Sequence, residues 1–323
     1  MLHRRQFIKS TGWATAFALS PFAHNLMDEM AKKKKNLGVQ LFSIPQMVDK
    51  DLKGTLQLLS EIGYKEVEFF GPYPFSAPET IEGWKGLASQ LGIKRNAFYG
   101  YSIPEIKTML SDFKLKTPSM HLDLITFRKN LKATLDAVAP LGVKYLALPA
   151  LSDINDRRTL DHYKRLAEEF NGFGQQMATY GMAFVYHNHG FEHAKMDGVV
   201  PMDYLLQNTD SKNVKFELDI FWMSAAGADP VDFLNRYPGR FKLMHIKDAA
   251  EKVRFSGDGG TPDQWMAVFS KMADPGTGVF DIQKMLQAGQ KSGVEHFYLE
   301  RDLTPTPEAT LKNSFTNLSK MSF

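Results

Sequence analysis

Between residues 37 and 302 the chain repeats one pattern, a short apolar run followed by a longer stretch with room for a helix. The runs are LGVQLF (37–42), EVEFF (66–70), TPSMHLDL (117–124), YLALPA (145–150), AFVYHNH (183–189), VKFELDIF (214–221), KLMHIKD (242–248) and HFYLERD (296–302). The stretches between them, such as DLKGTLQLLSEIG, NLKATLDAVAPLG and FDIQKMLQAGQKSG, are amphipathic. Several end in the glycine that a left-handed helix cap favours, just before the next run. Eight strands alternating with helices in one domain predict a (β/α)8 barrel over residues 36–323. The rival is an open, doubly wound sheet. No G-x-G-x-x-G follows the first strand, which weakens that fold's nucleotide-binding form, so no nucleotide cofactor is expected. The long interval 71–116 is expected to lie over the mouth of the barrel.

Residues 1–35 read as an address rather than as part of the fold. HRRQFIKS followed by TGWATAFALSPFA has the pattern of a twin-arginine export signal. Its apolar run is far shorter than the roughly 20 residues a membrane span needs. The plainer alternative is a disordered basic start. The expected location is periplasmic, with no stable membrane span after export. Charge also separates the two parts. The whole chain carries a formal +3, but Arg4, Arg5, Lys9 and Lys32 to Lys35 stand against only Asp28 and Glu29 in the first segment, so the remainder is mildly acidic. That balance argues against a phosphate-tracking nucleic-acid binder. With no cysteine in the chain, disulfides, thiolate metal ligands and cysteine nucleophiles are excluded.

Strand periodicity places the polar residues. Every second side chain along a strand faces the same way, so His187 and His189 share a face with Val185 and Ala183. In a barrel that face is the interior, and late strand positions emerge at the C-terminal rim where active sites are built. Asp219, His245 and Glu300 occupy the corresponding depth on strands six, seven and eight, and His121 on strand three. A single strand-end histidine is ordinarily a hydrogen-bonded packing residue, and a single aspartate ordinarily caps a helix. Together they are harder to explain that way, because two carboxylates buried side by side are costly without a cation. Two imidazoles and two carboxylates suit Mn, Co, Fe, Ni or Zn better than Mg.

GVQLFSI, EIGYKEVEFFG, LGVKYLALPAL, YHNHGFE, ELDIFWMSAAGADP, MHIKD, GTGVF and YLERD, in that order, resemble the sugar phosphate isomerase/epimerase family of xylose isomerase-like barrels, from about residue 37 to the end. The resemblance implies one divalent metal held at the ends of strands five to eight, commonly by Glu, Asp, His and Glu. Asp219, His245 and Glu300 fall on the last three positions. The first differs: HNH stands where many members have ENH, so His187 takes the glutamate's place, and His189 is expected beside metal-bound water or substrate.

The implied chemistry is enolisation of a sugar through an enediolate. Symmetric epimerisation uses a glutamate on each side of the substrate, and here one is missing. Glu300 remains as a base, with Lys247 and His189 as further catalytic candidates. Single-base isomerisation of a non-phosphorylated sugar or keto-sugar is expected, or elimination from a 3-keto-glycoside or inosose-like substrate. Expected substrate contacts are His121, Trp222 as a stacking ring or equally a packed loop anchor, Glu68 unless it pairs with a nearby basic group, Gln40, Glu192 and Asp248, with Glu192 alternatively capping the loop after strand five. Asp248 and Arg254 belong to the loop after strand seven, whose stretch FSGDGGTPDQW is suited to closing over substrate, whereas GTGVFD reads as structural. Similar barrels are often dimers, so a homodimer is among the expected partners. Two readings from other classes are an endonuclease IV-like nuclease, which would need more ligands and a basic groove, and a carbohydrate-binding barrel without chemistry.

Overall fold

The computed structural model describes residues 36–95 and 98–323; the expected export signal lies outside the described residues. The strands are β1 (Leu37–Gln40), β2 (Glu66–Glu68), β3 (Ser119–His121), β4 (Tyr145–Leu148), β5 (Ala183–His187), β6 (Val214–Asp219), β7 (Phe241–Ile246), β8 (Asp248–Ala249), β9 (Met272–Ala273) and β10 (His296–Leu299). Eight of them form one sheet in the order β2-β1-β10-β7-β6-β5-β4-β3, and β8 pairs separately with β9. Every neighbouring pair in the large sheet is parallel. Its two edges meet through the parallel bridges Glu66↔Lys116 and Phe69↔Met120. Backbone hydrogen bonds from Val67 N to Lys116 O and from His121 N to Phe69 O, both 2.9 Å, complete the closure. The result is the expected eight-stranded barrel.

Alternation along each strand separates two cores. Phe184 and Tyr186 on β5, Phe216 and Leu218 on β6, and Met244 and Ile246 on β7 belong to the large apolar cluster beneath the outer helices. Tyr145, Ala147, Val185, Leu243 and Tyr298 have the opposite parity and pack together inside the barrel. Phe184 shows how tightly the outer layer is filled: its ring centroid lies 4.6 Å from Phe170 on the helix Leu160–Ala178 and 5.0 Å from Phe127 on Leu124–Val138. Full burial of one such side chain contributes about 1.5–3 kcal/mol.

Helix ends follow the sequence signals. Asp51 caps Leu52–Ile62 and Asp123 caps Leu124–Val138 through their side chains. Gly293 ends Ile282–Ser292 with φ +97, immediately before β10, a conformation a side chain would strain. The strands themselves stop earlier than the apolar runs suggest. β6 ends at Asp219, whose carboxylate turns the chain directly into the helix Ile220–Ala226. β5, β7 and β10 end at His187, Ile246 and Leu299, so His189, Lys247 and Glu300 stand just past the strands, on the rim.

The interval 71–116 divides. Residues near its start dock on the head of Leu124–Val138, through Ala77 N to Thr126 Oγ1 (2.9 Å) and Thr80 Oγ1 to Asp123 Oδ1 (2.6 Å). Its later helix, Ile103–Asp112, packs beside Leu52–Ile62 in the outer layer instead of over the mouth.

Candidate metal and proton-transfer site

The barrel's inward parity delivers a dense set of titratable groups. Register pairs His187 with Glu217 and Asp219 with His245. Glu300 follows β10 and donates its backbone N–H to Ile246 O at 3.1 Å. His187, Glu217, Asp219, His245, Lys247 and Glu300 are all buried. They form two layers that share the histidines of β5 and β7.

The outer layer brings together three of the four residues the sequence suggests as metal ligands, Asp219, His245 and Glu300, with the fourth, His187, beside Asp219 and also part of the layer beneath. His187 Nε2 lies 3.7 Å and His245 Nδ1 3.9 Å from Asp219 Oδ2, and His245 Nδ1 is 2.7 Å from Glu300 Oε2. Asp219 Oδ1 accepts from the backbone N–H groups of Phe221 and Trp222, both at 2.9 Å, which fixes the carboxylate and aims Oδ2 inward. Asp219 Oδ2 and His245 Nδ1 are buried without an aligned hydrogen bond. Their nearest charged partners are Lys247 Nζ, 2.9 Å from Asp219 Oδ2, and Glu300 Oε2, 2.7 Å from His245 Nδ1, and both atoms are of a type that a divalent ion binds directly. Two imidazole nitrogens with two carboxylates suit an ion of borderline softness. Asp219, His245 and Glu300 also converge closely enough to share one ion.

Lys247 lies against this layer. Its Nζ is 2.9 Å from Asp219 Oδ2, 2.9 Å from Glu300 Oε2 and 2.6 Å from Asp302 Oδ2. Burial alone would lower the Lys247 ammonium, but the charges of Asp219, Asp302 and Glu300 outweigh it and raise its pKa, so the group stays protonated. Burial opposes ionisation of Glu300 as well, yet Lys247 and His245 hold it well below the usual carboxylate range. Burial and the neighbouring Glu300 charge push Asp302 up to about 7, despite Lys247.

The inner layer contains Glu217, which the sequence reading missed, with Glu68, His121 and Gln40. His121 Nε2 is 3.0 Å from Glu217 Oε2 and 3.2 Å from Glu68 Oε2. His187 Nδ1 is 3.1 Å from Glu217 Oε2, and His245 Nε2 2.7 Å from Glu68 Oε2. Gln40 Nε2 donates to Glu68 Oε2 at 2.8 Å. Burial opposes the charge on His121, but Glu68 and Glu217 raise it to about 9. Glu217 is findable, because it lies two residues before Asp219 on β6 and so shares its face, whereas Asp302 stands beyond the end of β10, where that period no longer applies.

His189 is half-buried at the mouth. Its ring stacks on Trp222 at 5.6 Å and 20° and lies 5.5 Å from Trp265. Burial, followed by His187 and Lys247, lowers its pKa far enough to keep the imidazole neutral. Trp222 is only 2 % exposed and stands behind His189, with Phe255 stacked at 5.9 Å and Lys247 Nζ 5.0 Å from its ring, not as an open platform for a sugar.

Glu192 and Asp248 are turned into the backbone. Glu192 accepts from the Tyr186 hydroxyl, Gly190 N (2.8 Å) and His189 N (3.2 Å), capping the loop after β5. Asp248 accepts from Gly276, Gly278 and Phe280 N–H at 3.0, 2.8 and 3.2 Å, which accounts for GTGVF. A Cβ on Gly278 would stand 2.4 Å from Asp248 Oδ1. The loop expected to close over substrate is tied down: Arg157 Nη2 donates to Gly260 O (2.7 Å), Trp265 Nε1 to Gly259 O (2.6 Å), and Arg254 Nη1 to Ser224 O (2.9 Å).

Residues 56–316 match the family described as xylose isomerase-like TIM barrel. The inosose dehydratase of Lacticaseibacillus casei is 28% identical over 144 residues, which covers 42% of this chain and 46% of that protein. The chain thus spans about half the length of that curated relative. A solved sugar phosphate isomerase/epimerase from Parabacteroides distasonis superposes with a TM-score of 0.70 at 24% identity, over 90% of this chain and 95% of that one. The IolI protein with a bound zinc atom superposes with a TM-score of 0.62 at 16% identity, covering 88% and 96%.

Proposed function

Because the chain belongs to the xylose isomerase-like TIM barrel family, we propose that it is a divalent-metal-dependent lyase that removes the proton beside the ketone of a keto-cyclitol or keto-sugar and expels the oxygen substituent β to that ketone. The observation that carries this reading is the placement of Lys247 Nζ, 2.9 Å from Glu300 and 2.6 Å from Asp302. That arrangement sets an ionised carboxylate and an ammonium, protonated at rest, side by side at the barrel mouth. His187, Asp219, His245 and Glu300 would hold the ion. When bound, the ion supplies Lewis-acid polarisation of the carbonyl oxygen. Glu300 takes the proton from carbon, and the ammonium of Lys247 gives one to the departing oxygen. Asp302 is placed to return that proton to Lys247. His189, neutral and beside Trp222, hydrogen-bonds a hydroxyl or carbonyl of the substrate.

Elimination is favoured over epimerisation because the fifth-strand position that a second base would need is His187, whose Nδ1 is engaged by Glu217. The relative from Lacticaseibacillus casei, an inosose dehydratase, supports the same choice. Export through the twin-arginine route is part of the proposal, and it favours a substrate without phosphate. The test is proton exchange followed by NMR. The metal-loaded protein is incubated in heavy water with inososes, ketoses and 3-keto-glucosides, beside Glu300→Gln. Exchange next to the ketone together with loss of water or alcohol, both absent in the variant, is the expected result. An epimer formed without loss of a substituent would move the reading to an epimerase. Metal binding with no exchange on any ketone would leave a carbohydrate-binding barrel.

A further inference from the structure

The two layers of the site differ in one geometric respect. In the outer layer the closest approaches to Asp219 Oδ2 from His187 and His245 are 3.7 and 3.9 Å, too long for hydrogen bonds and suited to two ligands of one ion. In the inner layer the same two rings make hydrogen bonds through their other nitrogens. His187 Nδ1 meets Glu217 Oε2 at 3.1 Å, and His245 Nε2 meets Glu68 Oε2 at 2.7 Å. Glu217 reaches both rings, its Oε1 lying 3.0 Å from His245 Nε2, while Glu68 reaches His245 alone of the two; in each ring the opposite nitrogen faces the outer layer, His187 Nε2 toward Asp219 and His245 Nδ1 toward Glu300 at 2.7 Å and Asp219 at 3.9 Å. His121 Nε2 lies between the two carboxylates, and Gln40 Nε2 fixes Glu68 at 2.8 Å. No lysine or arginine forms an ion pair with Glu68 or Glu217 among the described residues, so their hydrogen-bond capacity is directed at the histidines and Gln40.

We propose that Glu217 and Glu68 are positioning residues for the metal centre that together fix the tautomers of the two ligand histidines, so that His187 presents Nε2 and His245 presents Nδ1 to a single divalent ion. The inference rests on the outer layer being the ion's site, as the proposed function requires. A carboxylate behind a metal-bound histidine fixes ring orientation and raises ligand basicity, and its loss typically lowers metal affinity about 10–100-fold. His121, Glu217 and the two ligand rings could by composition form a site of their own. Hydrogen bonds of 3.0 and 3.1 Å already join Glu217 to His121 and His187, and an ion bound among them instead would make Glu217 a ligand, which the glutamine variant distinguishes.

The test uses zinc alone on the full chain. Affinity is measured by competition with a chromophoric chelator for the wild type and for Glu217→Met, Glu217→Gln, Glu68→Met and Glu68→Gln. Both methionine variants are expected to lose about 10–100-fold in affinity, and both glutamines, which keep an accepting oxygen, to recover most of it. In the zinc-loaded wild type, 15N NMR is expected to find Nδ1 protonated in His187 and Nε2 protonated in His245, a readout that does not depend on any variant folding. Reversed tautomers, methionine variants within about threefold of wild type, or a glutamine as damaging as methionine would overturn the proposal. The last outcome would make the carboxylate itself a ligand. Failure of the wild type to bind zinc would overturn it too. Zinc binding that follows the expected pattern in a protein exchanging no ketone proton supports this inference and refutes the lyase alone.

Discussion

Replacing His193 by leucine should remove a specific part of the protein's acid sensitivity. His193 follows the loop after β5, and its ring meets Phe233 edge-on at 4.9 Å and 90°. Both ring nitrogens are buried and neither has a hydrogen-bond partner. Burial, assisted by Arg236 and opposed by Asp203, lowers its pKa from 6.5 to about 4. Because the folded state disfavours the charged ring, the unfolded chain takes up the proton first as pH falls. Stability from this group is complete above the unfolded value of 6.5 and is lost as pH drops toward 4. A gap of about 2.5 units at about 1.36 kcal/mol each sets a limit near 3 kcal/mol, of which about 2.5 kcal/mol is lost by about pH 4.5.

The assay is urea unfolding of wild type and His193→Leu at about pH 7.5 and about pH 4.5, compared as a double difference so that the other titrating groups cancel. The wild type should lose about 2–3 kcal/mol more than the variant across that interval. At the higher pH the leucine protein should match or exceed the wild type, since it removes two unpaired polar atoms and keeps the volume. Equal losses in both proteins would refute the reasoning, because they would mean that the folded site accepts the proton as readily as water does.

Other outcomes follow from the same geometry. Glu300→Gln should lower ketone proton exchange by about 10²–10⁴-fold while leaving the thermal transition near that of the metal-free wild type, as read by NMR exchange and circular dichroism. Phe184→Ala should cost about 3–5 kcal/mol in urea unfolding, because the ring is fully enclosed between Phe170 and Phe127 and the space cannot collapse easily. Zinc at roughly 100 times its dissociation constant should raise the unfolding free energy by about 2.7 kcal/mol, and a chelator should reverse the gain. Calorimetry with and without the ion checks that expectation.

Much of this architecture is legible in the sequence because a barrel obeys two short periods. The strand period of two places Val185 inside and Phe184 outside from the letters alone, and it aligns His187, Asp219 and His245 at the rim. The same rule, carried one step further, adds Glu217 on β6, while Asp302 lies beyond β10 and outside its reach. What periodicity does not carry is direction beyond the strand. Asp248 and Glu192 sit beside ligand positions in the chain, yet their carboxylates satisfy backbone N–H groups that only the folded loops create. Trp222 reads equally as a stacking ring or a packed loop anchor, and only the fold decides for the anchor, enclosed by His189 and Phe255, which arrive from distant loops. The apolar letters overrun the strand ends for a related reason: they continue past the last ladder bond, where the chain has already turned, as at Asp219.

The ring of strands has a seam. Between β2 and β3 the ladder is reduced to isolated bridges, so this junction is the least stitched of the barrel. Glu68 and His121 flank it, one on each side, and they meet at 3.2 Å, with His121 also held to Glu217 across the interior. The polar network that supports the chemistry is therefore also a clasp on the wall. Tightening it, by an ion that orders the layer above, should slow amide exchange along Glu66–Phe69 and Ser119–His121 more than along β5 to β7, whose ladders are continuous.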